Sequence, residues 1–401
     1  MAGHAIVIGA GICGRAAALA LRRIGWQATV LERATALGEV GAGLSLAPHA
    51  MRALEVLGVG EQARAAGVPS MATHHLRQPS GRYLVRAPAA GGPPLRAFRR
   101  AALHRLLLDA MPEGWVRTGV EVTGIDETGP HVNVAGMSAN VVIAADGIHS
   151  TTRRQLWPQA PPPRFLRYTG WLGLAELAHR VGPGGPAGFE GSMTMGDGGY
   201  FLIHPISERH VYWAFGTTAD RPGLRYDDEL SEARRRLTGW HDPIPDLLEA
   251  TDPAVVRRVD IHGLAPLPSF VSGRVALLGD AAHAMSPDRG QGAGQALEDA
   301  VVLAALLKDA ADSDGIPAAL ARATTASVGR VLSTSPATRI APASRWSTAV
   351  PLPGGSPPPC SGWSLQPCGL GCSRPSATLC GIGSRLGWTV AIWIRAGVIS
   401  P

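Results

Sequence analysis

Ala5-Ile6-Val7-Ile8-Gly9-Ala10-Gly11-Ile12-Cys13-Gly14 opens the chain, and residues 15–32, ending in Ala28-Thr29-Val30-Leu31-Glu32, complete one pattern. The run 5–8 is continuously apolar, as in a parallel strand buried on both faces. The Ala/Leu/Arg segment after Gly14 favours helix, and 28–31 is a second apolar run. The glycines fall where a strand-to-helix turn around a pyrophosphate needs them. Gly9 permits the tight turn, Gly11 lets backbone approach phosphate, and Gly14 lets helix and sheet pack closely, with the helix N-terminus toward the anion. Glu32, about eighteen residues past Gly14 and followed by Arg33, can accept hydrogen bonds from an adenosine ribose. Glycines alone could be a plain turn. Here strand, glycines, helix, strand and acid come in order, and the expectation is a βαβ unit with a dinucleotide site.

Two more junctions of this kind lie downstream. Val141-Val142-Ile143-Ala144-Ala145 runs into Asp146-Gly147, and Val275-Ala276-Leu277-Leu278 runs into Gly279-Asp280. The latter leads through Pro287-Asp288-Arg289-Gly290-Gln291-Gly292-Ala293-Gly294 into a helix expected over 295–308. Between them the texture changes. Residues 70–96 read as a hairpin turning at Pro79-Ser80-Gly81. Strands are expected over 116–125, 131–134, 200–204 and 210–216, and helices over 50–57, from Phe98 onward, and over 225–240. Three like junctions framing a different middle region predict a nucleotide-binding domain assembled from separated pieces, with a mostly β domain inserted.

At 401 residues the chain can form two domains. Its charge of +6 does not indicate a nucleic-acid binder. Seven arginines and no Asp, Glu or Lys lie between 321 and 401, which accounts for the whole excess. Cys360, Cys368, Cys372 and Cys380 crowd the same tail at spacings that fit no common zinc pattern, and Cys13 reads as a small buried residue. The tail lacks helical period. It reads either as disordered or as the product of a shifted reading frame, and in both cases as no part of the catalytic unit. No secretory leader precedes the first strand and no apolar run reaches membrane-spanning length, so the expectation is a cytoplasmic protein without membrane or nucleic-acid partners.

Val142-Ile143-Ala144-Ala145-Asp146-Gly147-Ile148-His149-Ser150 with Arg153 resembles the DG motif of class A FAD-dependent monooxygenases. Gly279-Asp280-Ala281-Ala282-His283-Ala284-Met285-Ser286-Pro287, continuing through Gly290-Gln291-Gly292 to Ala296-Leu297-Glu298-Asp299-Ala300, resembles their GD motif. Arg100 in Phe98-Arg99-Arg100-Ala101-Ala102-Leu103-His104 matches the family's arginine near the pyrophosphate. Within the family the chain looks most like the salicylate-hydroxylase group, over roughly residues 4–310.

The resemblance implies a p-hydroxybenzoate hydroxylase-like fold: an α/β, Rossmann-like FAD-binding domain (1–69, 97–157 and 266–325) with a mostly β substrate domain (70–96 and 158–265) and an atypical tail (326–401). It implies FAD as cofactor, NADH or NADPH and O2 as co-substrates, and hydroxylation of a small aromatic ring, with no protein nucleophile and no metal required. The implied cofactor residues are Gly9, Gly11, Gly14, Glu32, Arg33, Gly43, Arg100, Asp146, Gly147, Asp280, Pro287, Gly290, Gly292 and Ala293. His204, Tyr212 and Trp213 are the substrate-pocket candidates, and His283 reads as structural rather than as a base.

Two departures stand out: Gly294 replaces the family's usual Asn, and Ala175-Glu176 replaces its frequent aromatic–Arg pair. The second predicts poor activity on salicylate and better activity on a neutral phenol. The alternatives are a flavin-binding protein without turnover and another flavin oxidoreductase of the same fold; no WxWxIP segment marks a halogenase.

Overall fold

The computed structural model describes residues 3–38, 43–70, 75–86, 95–179, 181, 191–308, 310 and 315–322. The tail after 322, with its four cysteines, and Gly41 and Ala42 lie outside the described residues.

Four parallel strands, His4–Ile8, Gln27–Glu32, Val116–Thr118 and Val141–Ala144, join Val275–Leu277 in a six-stranded sheet closed at one edge by antiparallel Val271–Ser272. The spatial order starts at 271–272 and runs through 275–277, 141–144, 4–8 and 27–32 to 116–118. The two strands richest in continuous apolar sequence are central, as burial on both faces requires. One face is covered by the helices Ile12–Arg23, Pro48–Val56, Arg100–Asp109 and Gly292–Lys308, which share a core with Val7, Val30 and Ile143. A small antiparallel sheet (125–126, 132–134, 137–139) covers the other face, its Val132 and Val134 meeting Ile6, Leu31 and Val142.

The second large sheet has seven strands. Its spatial order starts at Arg257–Gly263 and runs through Arg164–Glu176, His210–Thr218, Gly199–Pro205, Ser192–Gly196 and His75–Arg77 to Tyr83–Arg86. Neighbours are antiparallel except 192–196 with 75–77. A three-stranded sheet, Gly43–Leu46, Leu95–Arg99 and Val68–Ser70, connects the two large sheets.

Two elements are shorter than the sequence suggests. The helix expected over 225–240 is Glu229–Arg236, because the Asp228 carboxylate accepts the Ser231 N–H at 2.9 Å and fixes the start. The strand expected over 116–125 breaks after Thr118. Gly119 turns with φ +71°, and Gly119 and Val120 donate to the carbonyls of Ala34 and Glu32 instead of continuing the sheet.

Candidate functional site: the carboxyl ends of the parallel strands

Glu32 ends a parallel strand and Gly9, Asp146 and Asp280 follow the carboxyl ends of three others, where an open α/β sheet offers a crevice. The three glycines of the first turn have different surroundings. Gly9 adopts φ +97°, and a Cβ there would lie 2.5 Å from the Ala145 carbonyl oxygen. A Cβ on Gly14 would lie 1.9 Å from the Gly9 carbonyl oxygen, so only glycine lets this helix meet this strand. A Cβ added at Gly11 would meet no atom of the rest of the fold within 4 Å. Gly11 is the N-cap of helix 12–23, no side chain caps that end, and no acid occupies its first turn. An uncapped N-terminus facing open space fits a phosphate.

Glu32 does more than its position suggests. Its Oε2 accepts the Ala10 N–H at 2.8 Å and its Oε1 the Ala34 N–H at 3.0 Å, so it props the glycine turn while lying beside the expected ribose position. Arg33 next to it is exposed. Asp146 Oδ2 accepts the Thr151 N–H at 3.0 Å, whereas its Oδ1 is buried without a partner. Gly147 turns with φ +79° beside open space. Arg153 ties this loop to the third junction. Its guanidinium donates to the carbonyls of Ala265 (2.8 Å), Ala282 (2.9 Å) and Ala281 (3.4 Å).

At the third junction, Asp280 is exposed at the head of the one-turn helix Asp280–His283. A Cβ on Gly279 would come 3.0 Å from Cys13 Sγ, so the first and third junctions touch. His283 Nε2 lies 2.6 Å from Asp299 Oδ2, both side chains buried. Burial works against protonation of His283, but the hydrogen bond and charge of Asp299 prevail and its pKa is raised. This pair clamps the junction to helix 292–308, in line with a structural role. The connecting loop turns at Gly290 (φ +59°) after Pro287. Gly292 and Ala293 open helix 292–308, again with no acid in the first turn. Where the family carries Asn, Gly294 leaves room for His49, whose Nε2 would lie 3.2 Å from an added Cβ.

Arg100 begins helix 100–109, and its Nε is buried without a partner among the described residues. Burial, the largest effect, pushes the pKa of the Tyr212 phenol well up, and the Arg100 charge opposes that rise. A Cβ on Gly43 would lie 2.8 Å from Tyr212 Cβ, so the connecting sheet abuts one face of the seven-stranded sheet. Side chains alternate across a strand and paired residues share a face. Tyr212 therefore lies with its partners Leu174 and His204, Ala214 with Leu172 and Leu202, and Gly216 with Gly170 and Tyr200. His204 is buried, its Nδ1 lies 3.3 Å from Ser70 Oγ, and its Nε2 has no partner among the described residues; burial lowers its pKa to about 4.

Trp213 is a correction. As Tyr212's sequence neighbour it points to the opposite face, where it is fully buried, stacks on Phe201 (5.6 Å between centroids) and donates from Nε1 to Thr251 Oγ1 at 2.9 Å. Two adjacent strand residues cannot both line one pocket. Tyr168 and Tyr200, absent from the sequence-derived set, do lie on the Tyr212 face. Stepping by two along each strand from Tyr212 and its partners would have found both.

The sequence matches the FAD binding domain family over residues 3–328. It is 36% identical over 327 residues to the aurachin C monooxygenase/isomerase of Stigmatella aurantiaca, covering 79% of this chain and 83% of that protein. It is 35% identical over 325 residues to the FAD-dependent urate hydroxylase of Klebsiella pneumoniae, covering 77% and 82%. The solved structure of Klebsiella pneumoniae HpxO complexed with FAD and uric acid superposes with a TM-score of 0.72 at 31% identity, covering 82% of this chain and 85% of that one. Phosphate-ready turns at the strand ends, an aromatic sheet face abutting them and these likenesses agree: the chain belongs to the FAD binding domain family, as a class A flavin-dependent monooxygenase.

Proposed function

We propose that this protein binds FAD along the carboxyl edge of the six-stranded sheet and uses NAD(P)H and O2 to hydroxylate a small aromatic ring held against the Tyr212 face. The observation that carries this reading is the contact of Gly43 with Tyr212, which brings the cofactor side and the aromatic face together. Bound FAD would supply electron transfer from the nicotinamide and activation of O2.

The residues divide the remaining work. Gly9, Gly11 and the N-terminus of helix 12–23 receive the pyrophosphate, with the unpartnered Arg100 Nε and its fork completing the anion site. Glu32 and Arg33 serve the adenosine end. Asp280, exposed at its strand end, accepts from the ribityl chain, while Asp146 and Gly147 shape the adjoining turn. Pro287, Gly290, Gly292 and Ala293 place the N-terminus of helix 292–308 where negative charge on the ring system is stabilised. Gly43 permits close approach of the ring to the pocket. Tyr212 and the neutral His204, with Tyr168 and Tyr200 further along, are the hydrogen-bonding groups in a largely apolar, water-excluding wall. The need for NAD(P)H supports a cytoplasmic location.

The test is an absorbance spectrum of the purified protein followed by NAD(P)H consumption over a panel of hydroxyaromatics, with products identified by mass. Yellow protein that forms a hydroxylated product is expected. Protein that takes up no FAD, or that yields only hydrogen peroxide with every ring, overturns the proposal.

A further inference from the structure

We infer that Arg15 is a second diphosphate-binding arginine, buried behind the glycine turn beside Arg100, and that it serves the cofactor at the expense of the empty protein's stability. The inference rests on the FAD site assigned above and adds to it a residue and a thermodynamic sign.

Arg15 is an unusual residue to bury. Helix 12–23 packs residues 16–21, all Ala or Leu, into the core. Arg15, directly before them, is only 3% exposed. Its Nη1 donates to the His104 carbonyl at 2.6 Å, which joins it to helix 100–109. Its Nε is buried without a partner among the described residues. Arg100 and His104 stand one helical turn apart and so share a face of helix 100–109. Arg100 Nε and His104 Nε2 are buried without partners as well. Three unpartnered nitrogens therefore gather where helix 100–109 meets the first turn of helix 12–23.

The charges are placed against the helices' own fields. Arg15 lies in the first turn of its helix, and Arg100 is the first residue of its own. Neither N-terminus has a capping side chain or an acid in its first turn. Peptide dipoles make such an end positive, so a cation there is disfavoured. Neither arginine forms an ion pair among the described residues. The acid whose charge reaches Arg15 is Glu32, whose oxygens already accept from the Ala10 and Ala34 N–H groups. Burial, the larger effect, lowers the Arg15 pKa in spite of that charge. Burial, with the charges of Arg15 and Arg100 behind it, lowers the His104 pKa to about 4 and keeps the ring neutral.

Burying a cation without a counter-charge is costly. An apolar side chain at 15, like those at 16–21, would serve the empty fold better. Two cations, a neutral imidazole and two uncapped helix ends form one unneutralised site. A diphosphate brings both the negative charge and the oxygens that satisfy it.

The experiment uses the full chain stripped of FAD. Arg15→Met keeps an unbranched side chain and removes the charge. It is expected to raise the melting temperature of the apoprotein by ~2 °C or more. It is also expected to weaken FAD about tenfold or more, read from the quenching of flavin fluorescence on binding. ADP, which carries the diphosphate without the flavin, should lose affinity by a similar factor. Inorganic pyrophosphate should raise the melting temperature of wild-type apoprotein more than that of the variant. Arg15→Lys, which keeps the charge and loses the fork, should recover part of the ADP affinity. Apoprotein destabilised or unfolded by both Arg15→Met and Arg15→Gln overturns the inference and makes Arg15 a packing residue. FAD and ADP affinities unchanged in Arg15→Met, or an equal response of the two proteins to pyrophosphate, overturns it as well. Wild-type protein that takes up no FAD overturns the cofactor reading instead.

Discussion

The two faces of the seven-stranded sheet are made from alternate residues of the same strands, yet they are built on different rules. On the far face, Trp171 stacks on Phe215 and Trp213 on Phe201, and the indoles donate to Glu229 (2.7 Å) and Thr251 (2.9 Å). Leu230, Leu237, Ile244 and Leu247 from the flanking helices seal that core. On the near face, Tyr168 Oη and His204 Nε2 are buried and make no hydrogen bond of normal geometry among the described residues, and glycines stand where side chains would fill the space. A satisfied face stabilises the fold; an unsatisfied one is held ready for a ligand.

The largest effect should come from breaking the satisfied face. Trp213→Ala removes a fully buried ring and is expected to cost about 3–5 kcal/mol in a denaturant titration. An equally large loss from Tyr200→Phe would erase the distinction between the faces.

Next comes the cost of holding His204 neutral. Its folded pKa of about 4 lies below the ordinary histidine value, so between pH 6.5 and 4 the unfolded chain binds the extra proton. Its contribution to stability is present above that window and is lost as pH falls through it, by roughly 3 kcal/mol at most. Comparing wild type with His204→Gln across pH 4–7 should show the loss only in wild type; parallel profiles would refute it. His283 works in the opposite sense. Its raised pKa contributes stability fully present below about pH 6.5 and lost as pH rises through the folded value. Asp299→Asn should flatten that alkaline decline.

At the cofactor edge, Asp280→Ala is expected to weaken FAD by about 1.5–3 kcal/mol, measured by flavin release on dilution, without lowering apoprotein stability. The smallest effect is expected from Glu32→Gln, about 1 kcal/mol in FAD affinity with an unchanged flavin spectrum. A spectral shift would contradict its placement at the adenosine end.

Much of this was legible in advance because local rules governed it. Continuous apolar runs marked the central parallel strands, and Gly9, Gly11 and Gly14 occupy three distinct environments that only their spacing announced. The DG and GD stretches could be placed at strand ends because strand ends and turns are set within a few residues. What was not legible depended on pairing. Trp213 was grouped with Tyr212 because both are aromatic, whereas register places them on opposite faces. Tyr168, opposite Thr218 and two positions from Gly170, shares the Tyr212 face through the same unbroken register. Arg153 looked like part of a motif; its three carbonyl partners are more than a hundred residues away.

The assembly of the six-stranded sheet has a consequence in time. Strand 275–277 pairs with 141–144, so on the ribosome the edge of 141–144 waits for about 130 residues, roughly 6–26 seconds at ~5–20 residues per second. Through that interval Arg153 lacks Ala265, Ala281 and Ala282, the parallel edge stands open to other nascent chains, and the FAD contact proposed for Asp280 is not yet available. Ligand stabilisation by mass action begins only once that last strand has emerged. Soluble yield should therefore depend on how quickly residues 265–300 follow the inserted sheet out of the exit tunnel, more than on the final stability of either sheet.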